Sequence, residues 1–244
     1  ASESLHPLAM ALATAGHEVY VLDVRGHGAS GTRGHIQYVG QLDHDLDDFL
    51  NALRPPPPAT LVGFSSGGSF ALRYAAGPTG ERFQRYLLLS PFLSQDAPTQ
   101  RPASGGWVSV GIPRIVGLGV LNAIGLQAFN HLTVTRFALD GHALERLTDR
   151  YDYNLATNFR PRADFMAELR AVRRPTAILA GSNDEAFHAD RFEAVVREAG
   201  QPWPVRLVPG TGHIGLTLDD AARAAIIDQL GAWPAGDQVG RLPS

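Results

Sequence analysis

A parallel α/β fold, helices on both faces of the sheet and one inserted segment, is what this sequence predicts, and three observations carry the prediction. Short apolar runs alternate with segments of helical period. The period switches abruptly inside glycine-rich loops, most clearly at Gly63-Phe64-Ser65-Ser66-Gly67. The alternation then stops between about Pro91 and Arg174 and resumes afterwards.

Taken in order, Leu5, Leu8, Ala9, Leu12 and Ala13 fall at helical spacing, with Gly16 placed to end the helix. The run HEVYVLD ending at Asp23 reads as a strand, and RGHGASGTRG after it as a loop. Val39, Leu42, Leu46, Phe49, Leu50 and Leu53 keep a helical period with acids on the other face. Pro55 to Pro58 end that helix, because proline supplies no N–H and restricts the residue before it. Further buried strands are expected in the run ending at Ser65, in RYLLLS, in TAILAG and in VRLVPG. Helices follow at roughly 190–199 and 219–230.

The boundaries drawn from this are a core of residues 1–91 and 173–244 and a mainly helical inserted cap at 92–172. Within the cap, WVSVGIPRIVGLGVLNAIGLQAF is long and apolar, but Pro113, Arg114 and several glycines interrupt it. A charge at mid-depth in lipid is expensive, so a membrane span is disfavoured. The favoured reading is a cap packing apolar faces on the main domain, and the alternative is a surface helix touching lipid.

Composition narrows the function. With 244 residues, 44% of them hydrophobic, the chain can bury a sizeable core. A net charge of -3 without blocks of like charge argues against nucleic acid as a partner and gives no indication of membrane contact. There is no cysteine, which excludes disulfides, thiolate metal sites and a cysteine nucleophile. The opening stretch lacks the basic region and unbroken apolar core of a signal peptide.

The chemistry concentrates at Gly63-Phe64-Ser65-Ser66-Gly67, a G-x-S-x-G pentapeptide with a strand before it and a helix after it. A chain reversing this sharply strains the serine backbone and brings neighbouring chain close, which is the expected reason for both glycines. The turn lifts the Ser65 hydroxyl above the sheet and aims the Ser66 N–H at a developing oxyanion. A serine hydroxyl needs a base, and the base needs an orienting acid. His213, in VPGTGHIG, is the candidate base, and Asp184, in LAGSNDEAF, the candidate acid, with Glu185 and Asp190 as alternatives. The order serine, acid, histidine is the one this kind of site uses. The other histidines lack metal-ligand spacing, so no metal and no cofactor is expected.

On DVRGHGAS from Asp23, GFSSGG from Gly63, GSND ending at Asp184 and GTGH ending at His213, the chain resembles the α/β-hydrolases, more narrowly the lysophospholipase and monoacylglycerol-lipase type of serine hydrolase. That resemblance implies a structural role for the Arg25-Gly26-His27-Gly28 loop. It also implies strands before the first helix, one of them lying between the Asp23 and Phe64 strands, and a second oxyanion N–H from the loop after it. No residue here carries these over, so the expectation is that some thirty to sixty residues precede residue 1 and that the Asp23 and Phe64 strands do not pair directly. The activity implied is hydrolysis of a small-molecule ester through an acyl-enzyme. Phe64, Phe92 and Trp107 are candidate contacts for a lipid-like or medium-length acyl chain. Two alternatives stand beside it: a sensor that binds with little turnover, and an aminopeptidase or amidase using Glu145, Asp149, Asp152 or Asp164 to hold an ammonium group.

Overall fold

Every residue of RYLLL is buried, and the reason is visible in what covers its two faces. The computed structural model describes residues 2–101, 108–139, 147–162 and 164–233. Helices α1 (His6–Thr14) and α2 (Gln41–Leu53) precede β1 (Thr60–Phe64), α3 (Ser66–Ala75) and β2 (Arg85–Leu89). An insertion follows, with β3 (Val108–Val110), α4 (Ile112–Ala123), β4 (Thr133–Phe137), β5 (Arg150–Asp152), α5 (Tyr153–Asn158) and α6 (Phe165–Ala171). The core resumes with β6 (Thr176–Gly181), α7 (Phe192–Glu198), β7 (Val205–Val208), α8 (Gly215–Leu218) and α9 (Asp220–Ala232).

The main sheet has the order β1-β2-β6-β7, and every pairing is parallel. Because successive side chains point to opposite faces, Tyr86, Leu88, Ile178 and Ala180 enter one hydrophobic cluster, with residues of α2, α3 and α7. Leu87, Leu89, Ala177 and Leu179 enter the other, with Leu8 and Leu12 of α1 and Ala222, Ala225 and Ile226 of α9. A sheet covered on both faces needs apolar residues at every position, which is why these runs do not alternate. Each fully buried leucine contributes about 1.5–3 kcal/mol relative to exposure.

Two expectations change. HEVYVLD forms no strand: residues 17–24 run without a ladder, and β1 bonds to β2 on one side only. Hydrophobic pattern alone does not make a strand, because the backbone N–H and C=O groups need a partner strand, and none of the described residues supplies one here. The Asp23 segment and β1 therefore do not pair, as expected; both line a cavity of about 1650 Å³ that also reaches the site.

The insertion contains helices, but also an antiparallel sheet β3-β4-β5 that was not anticipated. Its long apolar helix is two-faced. Ile115, Leu118 and Leu121 of α4 pack with Val134 and Ala156, inside the insertion itself. Ile112, Val116, Val120 and Ile124, four residues apart, face solvent at 49%, 60%, 61% and 69% exposure, so this stripe does not pack on the main domain. Among the described residues no helix is long and apolar enough to cross a membrane.

Candidate active site

The strand-to-helix turn at Ser65 is strained in the way its sequence implies. Ser65 has φ 53° and ψ −117°, outside the regions an L-residue favours. Its N–H donates to Leu89 O (2.9 Å), and its carbonyl accepts from Phe92 N (3.2 Å), so the neighbouring strand end pins the turn. A Cβ at Gly63 would stand 2.3 Å from Gly67 O, which only glycine avoids. The matching expectation for Gly67 fails, since a Cβ there meets nothing within 4 Å. The close approach on that side belongs instead to Gly68, 3.0 Å from Pro91. Ser66 opens α3, so its N–H is one of the four that a helix leaves without an intrahelical acceptor.

Three side chains meet in series. Ser65 Oγ lies 3.0 Å from His213 Nε2, and His213 Nδ1 lies 2.9 Å from Asp184 Oδ2. Asp184 and His213 are nearly inaccessible to solvent, at 1% and 2% exposure. Burial alone would raise the Asp184 carboxyl. Hydrogen bonds and charge from His213, with further bonds from Ser90 and Phe187, outweigh it and hold the group below the usual carboxylate range. The acid is therefore a carboxylate, Nδ1–H donates to it, and Nε2 is left to accept the Ser65 proton. Of the alternatives, Glu185 accepts from the His213 backbone N–H through Oε2 (2.9 Å) and leaves the imidazole alone. Asp190 sits in the short 3-10 turn Ala189–Arg191.

Apolar rings surround the base. Phe64 lies tilted at 4.8 Å and Phe187 edge-on at 5.2 Å from the His213 ring, and Phe92 lies 6.4 Å from Phe187. These three line the cavity, with Val108, Phe137 and Tyr151 from the insertion. Phe64 and Phe92 thus line the cavity beside His213; Trp107 lies outside the described residues.

Sequence reasoning missed Phe187, Ser90 and a hydrogen bond between the insertion and the loop after Asp23. The Tyr151 hydroxyl of the insertion lies 3.0 Å from His27 Nε2. His27 Nδ1 lies 3.4 Å from Arg25 O. Burial raises the Tyr151 phenol and pushes the His27 imidazole down to about 4. Both are neutral at pH 7, so Nδ1–H donates to Arg25 O and Nε2 accepts from Tyr151. The glycine-rich loop is thus joined to the insertion through His27 and Tyr151, and His27 also lines the cavity.

A pH prediction arises here. The folded state resists protonating His27 until about pH 4, whereas an unfolded histidine takes its proton near 6.5. Below 6.5 the unfolded chain binds more protons, so His27 costs stability as pH falls, about 2–3 kcal/mol by pH 4.5. Urea unfolding at pH 7 and pH 4.5 should show a smaller acid loss in His27→Gln than in the wild type. Equal losses would refute it.

His35 Nδ1 pairs with Asp152 Oδ2 at 2.5 Å, and Asp152 also caps α5 by accepting from Leu155 N. Among the described residues no group of three or more His, Asp and Glu side chains forms a metal site.

A family model described as "Serine aminopeptidase, S33" matches residues 1–216. No curated protein matches the chain. Among solved structures, the monoacylglycerol lipase of Paleococcus ferrophilus is similar at 21% identity, with 94% of this chain and 89% of that chain covered and a TM-score of 0.67. A soluble variant of monoglyceride lipase from Saccharomyces cerevisiae, in complex with a substrate analog, is similar at 16% identity, 93% and 80% coverage and TM-score 0.66. A bromoperoxidase from Bacillus anthracis is similar at 22% identity, 95% and 88% coverage and TM-score 0.65. These likenesses establish the fold; one scaffold carries several chemistries.

Proposed function

Since the chain belongs to the serine aminopeptidase S33 family, a family of α/β-hydrolases, we propose that it is a serine hydrolase cleaving carboxylic esters with lipid-like or medium-length acyl chains. The observation that carries the reading is the unbroken hydrogen-bonded series Ser65, His213, Asp184 at 3.0 and 2.9 Å, with the serine held in a strained turn at a helix start.

In the reaction, Ser65 Oγ forms a bond to the acyl carbonyl carbon while His213 Nε2 takes the hydroxyl proton. The Asp184 carboxylate holds the imidazole in the right tautomer and balances its charge. The carbonyl oxygen becomes an oxyanion facing the Ser66 N–H; loss of such a donor costs about 3–4 kcal/mol in other hydrolases. Collapse breaks the ester C–O bond, and His213 returns the proton to the leaving alcohol. Water, deprotonated by His213, then attacks the acyl-enzyme and releases the acid and free Ser65. Residues 92–172 act in this reading as a cap whose Phe137 and Tyr151, with Phe64, Phe92 and Phe187, exclude water from the acyl chain.

An amide substrate with a free ammonium is less favoured. Asp149 pairs with Arg150, while Asp152 and Asp164 cap helices, and none of the three lines the cavity; Glu145 lies outside the described residues.

The test is labelling by a fluorophosphonate probe, followed by a panel of p-nitrophenyl esters from acetate to decanoate beside aminoacyl anilides. One adduct per chain, with kcat/KM rising toward butyrate to octanoate, is expected. Rates falling steadily from acetate upward would sink the acyl-chain assignment. Stoichiometric labelling without turnover would favour a binding protein over an enzyme.

A further inference from the structure

The proposed mechanism leaves one buried hydroxyl beside the acid unused. Ser90, the residue after β2, is completely buried and holds φ 39°, a left-handed conformation rare for serine. Such a conformation persists where the surroundings determine it. Here the Ser90 N–H donates to Leu179 O at 2.8 Å, and two residues on, Phe92 N–H donates to the carbonyl of Ser65 at 3.2 Å. The strand end is therefore tied both to β6, which leads to the acid, and to the nucleophile itself.

In that conformation the Ser90 hydroxyl donates to Asp184 Oδ2 at 2.6 Å, the oxygen that also accepts from His213 Nδ1 at 2.9 Å. The other oxygen, Oδ1, accepts from the N–H groups of Ala186 (2.8 Å) and Phe187 (2.9 Å). A carboxylate offers about four acceptor sites, and these donors occupy all of them. Two backbone donors locate one oxygen, and Ser90 locates the other.

We propose that Ser90 is a positioning residue of the catalytic acid, its hydroxyl fixing the rotation of the Asp184 carboxylate so that Oδ2 stays aimed at His213 Nδ1. The inference rests on the triad reading above. The remaining charged groups on the pair are Glu185, whose Oε2 accepts from the His213 N–H, and Arg101, whose Nε donates to the carbonyls of Asp184 and Phe187. Neither takes a place on the Asp184 carboxylate, so loss of the Ser90 hydroxyl has no side-chain replacement among them. Hydrogen bonding to the charged form favours that form; without Ser90, the Asp184 carboxylate takes up a proton at higher pH.

The experiment compares wild type, Ser90→Ala and Ser90→Gly by p-nitrophenyl butyrate hydrolysis across pH, with fluorophosphonate labelling in parallel. Glycine lacks the hydroxyl but accepts φ 39° without strain, so it separates hydroxyl from backbone and stands in if the alanine variant folds poorly. Both variants should lose about tenfold in kcat with KM unchanged. The acid limb of kcat/KM should move up by about half a pH unit or more in both. An unmoved limb with an active wild type refutes the Ser90 role alone, as does a loss in the alanine variant that glycine restores. A wild type that neither labels nor hydrolyses refutes the triad reading and this inference with it.

Discussion

Replacing Ser65 with alanine is expected to lower kcat for ester hydrolysis by about a million-fold and to abolish fluorophosphonate labelling. The reason is that, among the described residues, Ser65 Oγ is the atom bonded to His213 Nε2 that can form the acyl bond, and water in its place starts without the strained turn that holds Ser65. His213→Ala should cost about as much, and the double variant no more than either. The two groups act as one unit, so removing the second takes away nothing that still functions. Asp184→Asn should cost less, about ten-thousand-fold, because the amide keeps the volume but cannot hold the imidazole in its working tautomer. Steady-state rates, with circular dichroism confirming the fold, decide this. A Ser65→Ala protein retaining more than about one per cent of the rate would remove Ser65 from the mechanism.

Asp43→Ala is expected to destabilise the fold by about 3–5 kcal/mol, the range found when one partner of a buried ion pair is removed. Asp43, on α2, is the hub of a network joining three parts of the chain. Its Oδ2 accepts from Arg73 Nε of α3 at 3.3 Å and from Asn158 Nδ2 of α5 at 2.9 Å, and its Oδ1 accepts from Arg162 Nη2 at 2.8 Å. Arg73 is 6% exposed, so losing the carboxylate leaves a guanidinium out of water without its counter-charge. The other atom of the Asn158 amide, Oδ1, reaches the start of α2, where it accepts from the N–H of Gly40 (2.7 Å) and Leu42 (3.3 Å). α3 begins at the residue after Ser65, so the same network anchors the helix whose N-terminus is assigned to the oxyanion in the proposed mechanism. Urea unfolding of wild type and variant is the measurement. A loss under about 1 kcal/mol would put the network in the class of exposed ion pairs, which contribute little.

Much of this arrangement is legible in the sequence, for local reasons. TAILAG is strand from Thr176 to Gly181, as its apolar run and flanking turns indicate, and RYLLL is strand over Arg85–Leu89. Pro55 follows the second helix closely, and the helix itself ends at Leu53. The serine, the base and the acid are readable because each stands just beyond the end of a strand, where a parallel sheet presents its loops on one edge. The strand expected at HEVYVLD is not formed, because a strand is a pairwise object and its residues carry no information about whether a neighbour is present. The antiparallel sheet of the insertion is not legible in the sequence for a related reason. Val108–Val110 and Arg150–Asp152 are three residues each, too short for periodicity to register, and they become strands only through β4 between them.

What the sequence determined by itself, then, is whatever depends on neighbours along the chain: the alternating elements of the core, the glycine that Gly63 must be, and the residue types able to supply nucleophile, base and acid. What only the tertiary structure decided depends on contacts between distant residues. Ser90 is one more serine at the end of an apolar run until folding places its hydroxyl 2.6 Å from an acid 94 residues away. Asp184 prevails over Glu185 because the chain turns one carboxylate toward the imidazole and the other toward the His213 backbone. A loop's local preferences do not encode that choice, since both acids sit in the same turn and only the position of the histidine loop distinguishes them.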